Sequence, residues 1–158
     1  SIVISYYYSM KSLNLVNTHL SLILPQIGLS IPFSIFWLRS SFRSIPKSLS
    51  EAAMIEGASR ITILYKILLP QITPAILTLA VLLFMWTWNE FLLALIMIQD
   101  EEMRTAPLAL SYFAGNKRYG DPAITAAAAI WVAIPVLILY IFLQRKFISG
   151  MVTGAIKE

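Results

Sequence analysis

Charged residues vanish from this chain in three long runs. Asp, Glu, Lys and Arg are absent from Ser12 to Leu38, from Ile67 to Asn89 and from Pro122 to Gln144. A helix rises ~1.5 Å per residue, so about 20 apolar residues cross a hydrocarbon layer ~30 Å thick. Each run is long enough, and spans are expected at about 20–38, 72–93 and 122–144. The pattern therefore predicts an all-α, polytopic transmembrane helical bundle. Ser1 to Met10 is apolar and aromatic but too short to cross, and reads as the remnant of a further span with Tyr6, Tyr7 and Tyr8 at the water interface. Lys11 to His19 is a short polar loop.

Each span carries its own signals. Pro25, Gly28 and Pro32 lie inside the first and predict a kinked helix packed in protein, where neighbours re-satisfy the backbone. The second ends on Trp86-Thr87-Trp88-Asn89-Glu90-Phe91, which sets a carboxylate and an amide in its outer third. A charge near mid-bilayer costs roughly 2.5–3.5 kcal/mol on insertion scales. Glu90 therefore faces a wet cavity or gate, or lies at an interface with the two Trp residues as an aromatic belt; both readings stand. In the third, Ala126 to Ala129 and Ala133 give a small-residue flank that permits close helix packing, and Pro135 is a site for a kink. A mixed-charge loop, 99–121, separates the last two spans, with Gly115 and Gly120 as turn residues, and a tail covers 145–158.

The segment between the first two complete spans, 44–70, has the signs of two short helices meeting at a bend. Pro46 suits a first helical turn and Ser44 can cap it, so one helix is expected from about Pro46 to Glu56. Gly57 fits the left-handed position that ends a helix. Ser59 can cap a second helix in which Ile61, Leu64, Tyr65 and Leu68 recur at helical spacing until Pro70 and Pro74 interrupt it. Ala52, Ala53, Gly57, Ala58 and Ser59 keep the bend small, so another protein's surface can approach the backbone. Spacing alone leaves a plain linker lying on the membrane equally open.

Composition narrows the chemistry. With 58% hydrophobic and 13% charged residues, against about 25% charged in soluble proteins, the chain lacks the polar material to cover a soluble globule. The net charge of +4 sits mainly at the ends of apolar runs, which points to membrane orientation and not to nucleic acid. Arg39, Arg43, Lys47, Arg60, Lys66, Arg145, Lys146 and Lys157 fall on one side of the three spans; Lys11, Arg104, Lys117 and Arg118 fall on the other. The positive-inside rule puts segment 44–70 and the tail in the cytoplasm and loop 99–121 outside. Cys is absent and His19 is alone, so no metal site, thiol chemistry or Ser-His-Asp set is expected, and no G-x-x-x-x-G-K-[ST] loop is present to hold ATP. No enzymatic activity and no bound cofactor are expected of this chain.

Glu51-Ala52-Ala53, three residues, Gly57, nine residues, then Ile67-Leu68-Leu69-Pro70 resembles the EAA loop of the membrane subunits of binding-protein-dependent ABC importers, E-A-A-x3-G-x9-I-x-L-P, at every specified position. Glu56 stands where the family usually has Asp, which keeps the charge. The resemblance implies a permease subunit that docks a separate ATPase through Glu51, Ala52, Ala53, Glu56, Gly57, Ala58, Leu69 and Pro70, with ATP bound by that partner. It also implies a second permease subunit, an extracytoplasmic solute-binding protein, and about six spans in such a subunit, of which this chain would cover the C-terminal half or slightly more; loop 99–121, with charge of both signs, is most simply a solvated surface, and by analogy with the family a contact for that binding protein. Trp88, Asn89 and Glu90 are the candidates for the translocation cavity or gate. Trp88-Asn89-Glu90-Phe91, Ile31-Pro32-Phe33, Leu38-Arg39-Ser40-Ser41-Phe42 and Ser44-Ile45-Pro46, with the ending from Gln144-Arg145 to Gly154-Ala155, are similar to the second permease of maltose-type carbohydrate importers in a bacterial or archaeal inner membrane. Uptake of sugar, oligosaccharide or glycerol phosphate is the expectation. A permease of the same superfamily for polyamine or phosphate, and a membrane scaffold without transport, are the alternatives.

Overall fold

The computed structural model describes residues 2–115 and 121–155, and every regular element among them is helical. Lys117, Arg118, Gly120 and Lys157, used above for turns and orientation, lie outside the described residues. Among the described residues, three helices are long and apolar enough to cross a membrane: Leu20–Arg43, Arg60–Trp88 and Pro122–Phe142, of 24, 29 and 21 residues. The chain divides into two units, Ser1–Ser30 with Leu83–Ile141, and Ile31–Leu82 with Phe142–Glu158.

The first unit contains α1 (Ile2–Ser12), the start of α2 (Leu20–Arg43), the end of α5 (Leu69–Trp88), α6 (Leu92–Met97), a 3-10 turn at Glu101–Met103, α7 (Ala106–Gly115) and most of α8 (Pro122–Ala155). Its core is Met10, Leu22, Leu93, Ala94, Met97, Ile98 and Leu108, with Ala94 and Met97 fully buried. Short α6 is the hub: Leu93, Ala94 and Met97 face this core while Leu92, Leu95 and Ile96 are exposed. Helix α1 joins this core, since Val3, Tyr6 and Tyr7 pack against it. Of the three tyrosines expected at the water interface, Tyr8 is the exposed one.

Several expectations from the sequence are revised here. The second apolar run is not one helix to residue 93: α5 stops at Trp88 and α6 starts afresh at Leu92. Loop 99–121 holds a helix, α7, whose Leu108 is core. Its start is marked by Thr105-Ala106-Pro107, because proline is tolerated in a first turn, and the Ala109 N–H donates to the Thr105 carbonyl at 2.9 Å. Beyond Gln144, α8 continues to Ala155, so the segment expected to be a tail is largely helical. Pro122 opens α8 under Asp121, whose Oδ1 accepts the Ala123 N–H at 2.8 Å. Helix α2 runs unbroken through Pro25 and Pro32; Ser21, Leu22 and Pro25 are buried, while Ile27, Leu29, Ile31 and Phe36 are exposed.

The second unit holds the rest of α2, α3 (Lys47–Ile55), α4 (Arg60–Ile63), a π-helical segment at Leu64–Leu68 and most of α5. Helix α3 lies against α4 and the π segment. Trp37 on α2 donates its indole N–H to the Ala75 carbonyl of α5 at 3.0 Å. Such side-chain bonds matter in lipid, where apolar burial does not draw helices together.

In the first unit, Asn17 clasps two loops. Its backbone is left-handed at φ 62°. Its Oδ1 accepts the Gln99 and Asp100 N–H groups at 2.8 and 3.1 Å, its Nδ2 donates to Asp100 Oδ2 at 2.8 Å, and its own N–H donates to the Met97 carbonyl at 2.9 Å. Asn17→Ala removes three side-chain bonds and leaves a Cβ residue in the left-handed region, a loss of about 2–4 kcal/mol. Asn17→Gly loses the bonds but not the backbone fit. Thermal unfolding in detergent should rank wild type above Gly above Ala, and equal midpoints would dismiss the clasp.

Candidate functional site

The bend at Gly57 is a complete helix-ending motif. The Gly57 N–H donates to the Met54 carbonyl and the Ala58 N–H to the Ala53 carbonyl, each at 3.0 Å. This paired pattern satisfies the last carbonyls of α3 and requires a left-handed residue at Gly57, whose φ is +81°. Ser59 then caps α4: its Oγ accepts the Thr62 N–H at 3.2 Å. Ser44 does not cap α3 as expected. Its hydroxyl donates back to the Ser41 carbonyl at 2.8 Å, and Pro46 occupies the cap position.

Pro70 and Pro74 do not interrupt the second helix. Arg60 to Trp88 is continuous, and the π segment sits just before Pro70. A proline has no N–H and its ring crowds the carbonyl four residues back. Widening the turn removes that crowding, and the Leu69 N–H reaches back five residues to the Leu64 carbonyl. Single π turns inside α-helices concentrate at functional sites.

Glu51, Ala52, Glu56 and Gly57 are exposed, Ala58 and Leu69 are half-buried, Pro70 is exposed and Ala53 is buried. Ala53 thus serves the internal packing of the hairpin. Its outward face is carried by residues that the motif does not specify: Ile55 is 87%, Ile61 70% and Tyr65 65% exposed, while Ile63 is the buried member of α4. Sequence reading uses Ile61 and Tyr65 only as helix-forming positions. Their i,i+4 spacing beside Ile55, across a glycine turn, is the signal that could have found the face.

Trp88, Asn89 and Glu90 lie in sequence at the end of α5 but do different things. The Trp88 indole N–H donates to the Val132 carbonyl on α8 at 3.0 Å, and its ring stacks on Phe84 with centroids 5.7 Å apart. Asn89 turns back, Nδ2 donating to the Met85 carbonyl at 2.7 Å. Glu90 Oε1 accepts the Leu93 N–H at 2.7 Å, capping α6, and the Glu90 carbonyl accepts from Thr105 Oγ1 at 3.2 Å. The carboxylate therefore satisfies a backbone N–H that the helix break would otherwise strand. Glu90 also lines a cleft with Gln26, Leu29, Ser30, Trp86 and Thr87. Among the described residues no group of three or more His, Cys, Asp or Glu is placed to hold a metal ion.

Fold and site together define a polytopic α-helical membrane protein that displays a bent, apolar-faced hairpin between two of its spanning helices. Residues 2–152 match the family described as binding-protein-dependent transport system inner membrane component, and the chain belongs to that family. It is 36% identical over 157 residues to the sulfoquinovosyl glycerol transport system permease protein SmoH of Agrobacterium fabrum, covering 99% of this chain and 55% of that protein. It is 34% identical over 158 residues to the trehalose transport system permease protein SugB of Mycobacterium tuberculosis, 99% of this chain and 58% of the relative. With the trehalose/maltose permease MalG of Thermococcus litoralis it shares 37% over 148 residues, 94% and 53% of the two chains. Among solved structures, a bacterial ABC transporter that imports the acidic polysaccharide alginate superposes with a TM-score of 0.68 at 28% identity, covering 90% of this chain and 55% of that one. The chain spans about half the length of the curated relatives it matches.

Substitutions at two positions separate backbone strain from contact loss. A Cβ at Gly57 meets nothing within 4 Å, so Gly57→Ala carries only the conformational cost of positive φ, about 1–2 kcal/mol. Gly57→Asn, better tolerated in that region, should cost less, and chemical unfolding of the purified protein checks the order. At the other end, Glu90→Gln keeps an acceptor for the Leu93 N–H while Glu90→Leu strands it. The Leu variant should lose about 1–3 kcal/mol more than the Gln variant. Equal stabilities would show that the cap contributes nothing.

Proposed function

We propose that this chain is the membrane-spanning permease component of an ATP-driven importer that takes up sugars or related solutes delivered by a binding protein. The observation that carries this reading is the exposure of Ile55, Ile61 and Tyr65 on either side of the Gly57 turn. Large apolar groups exposed around the turn and at the start of the Arg60–Trp88 helix need a surface to cover them, and membership of a binding-protein-dependent transport family supports a partner subunit in that role. That partner is an ATPase subunit, with Glu51 on exposed α3 as the anionic contact, Ala52 and Ala58 permitting close approach and Gly57 fixing the angle. The ATP is bound by the partner, and this chain contributes no catalytic group.

The continuous helix from Arg60 to Trp88 then acts as the moving part. At ~1.5 Å per residue its 29 residues make a rod of about 43 Å. Closure of an ATPase pair displaces the hairpin, and the rod carries the displacement to the Trp88–Glu90 end, where a solute pathway opens on alternate sides by rigid-body rocking. Glu90 lines that pathway, while Trp88 and Asn89 hold the break in which it sits. A second permease subunit completes the pathway, membrane lipid surrounds it, and a binding protein supplies solute from the side of loop 99–121. The hairpin and tail face the cytoplasm. The sugar class is supported by relatives named for trehalose, trehalose/maltose and sulfoquinovosyl glycerol.

These 158 residues contain no cysteine, so single cysteines introduced into them, with any elsewhere in the protein replaced, report topology. Cysteine at Ile55 should resist a membrane-impermeant maleimide in intact cells and react after lysis, whereas cysteine at Glu102 should react in both. The assembled transporter should co-purify an ATPase and lose it on Gly57→Pro or Glu51→Lys. A docking surface indifferent to both changes, or Ile55 labelled from outside, would refute the coupling.

A further inference from the structure

Within the second unit, Ile61, Tyr65, Leu68, Ile72 and Leu79 follow one another at intervals of four, three, four and seven residues. At ~100° per residue in an α-helix, all five fall within about 60° of one another and make one stripe along one side. The structure does not treat them as one stripe. Ile72 and Leu79 are buried and Leu68 is half-buried, whereas Ile61 and Tyr65 stand out among the exposed residues. The change from covered to exposed falls inside the π segment, Leu64–Leu68.

A π turn holds one residue more than an α turn, so the chain before it is rotated by about 100° from its place in an unbroken helix. Counted back from Ile72, Ile61 would lie about 20° away in an unbroken α-helix and lies about 80° away beyond the π turn. Ile63, the buried member of α4, would lie about 180° from Ile72, on the opposite side, and is brought to about 80°. The extra residue thus swings the packed side of the hairpin toward the packed side of the span and takes Ile61 off the stripe. Pro70 accounts for that residue. In an α-helix its ring would crowd the Lys66 carbonyl, to which it has no N–H to offer; the π turn avoids the clash, and the Leu69 N–H reaches the Leu64 carbonyl.

We infer that Pro70 is a positioning residue: by imposing the π turn it sets the rotational register between the hairpin and the spanning helix, and so turns Ile61 and Tyr65 outward. This role rests on the ATPase-docking reading above and lies at a distance from the contact itself. A lost contact cannot be mended by shortening the chain, but a lost register can. Pro70→Ala permits an unbroken α-helix and rotates the hairpin. Pro70→Ala with Lys66 deleted is also unbroken but one residue shorter, which returns Ile61 and Ile63 to their angles about Ile72 without restoring the proline. The full-length permease, with its partner permease in nanodiscs, is titrated with the ATPase. Affinity should fall at least about tenfold in Pro70→Ala, the scale of a lost interface anchor, and return to within about threefold of wild type in the shortened variant. Spin labels at Arg60 and Ser40, with other cysteines replaced, read the rotation by pulsed EPR in the same nanodiscs. A turn of ~100° moves a point on the helix surface by about 8 Å, so the distance distribution should shift in Pro70→Ala and revert in the shortened variant. Wild-type affinity in Pro70→Ala, a defect that the deletion leaves unrepaired, or label distances that do not move would overturn the assignment. A wild type that holds no ATPase sinks the docking reading, while the label distances still decide the register.

Discussion

A backbone crossing lipid has no water with which to replace a lost hydrogen bond, so each interruption of a helix must be repaired from within the chain. Three departures from straight α-helix are each closed from within the chain, two of them within or just beyond the Arg60–Trp88 helix and one, at Gly57, outside the spans. Around Gly57 the last carbonyls of α3 are met by the Gly57 and Ala58 N–H groups. Between α5 and α6 the Leu93 N–H is met by Glu90 and the Met85 carbonyl by Asn89. The π segment before Pro70 is a third repair, in which the helix stays closed by reaching one residue further back. Charged and amide side chains at the end of an apolar run are thus part of the folding solution before they have any role in transport.

The same solvent explains how sparse the packed interior is. Most apolar side chains on α2 and on the described part of α8 are exposed, as on helices that face lipid. Dry packing concentrates on α6, where Ala94 and Met97 are enclosed by side chains from α1, α2 and α7. Elsewhere Ile72, Leu79 and Val81 of α5 are buried as well, and Trp37 to Ala75 and Trp88 to Val132 add directional bonds, each a Trp indole donating to a carbonyl.

Much of this was legible in the residues. The three apolar runs, the glycine stop at Gly57 and the Ser59 cap follow from local rules that act within one or two turns, and the structure obeys them. What was missed depends on partners remote in sequence. The apolar character of residues 92–98 cannot tell a lipid-facing helix end from an α6 packed along one face, because both want the same side chains; Leu108 and Met10 make the difference from far along the chain. The prolines misled for a related reason. A rule for a lone proline predicts a break, yet Pro70 follows a stretch able to widen by one residue, and continuity survives. The site was legible as a motif but not as a surface: Ala53 matches the pattern and is buried, while Ile55 and Ile61 match no fixed position and stand out.

These features bear on why the second spanning helix is built as it is. Its cytoplasm-side extension, on the proposed reading, begins at a capped start beside the Gly57 turn, so the hairpin cannot pivot freely where α4 begins. Its far end stops at Trp88, pinned to α8 through Val132, and passes into the capped break that carries Glu90. The chain ends α5 at Trp88 and starts α6 afresh at Leu92; under the proposed function, displacement of the spanning helix is expressed at this break, where Thr87 and Glu90 line the cleft.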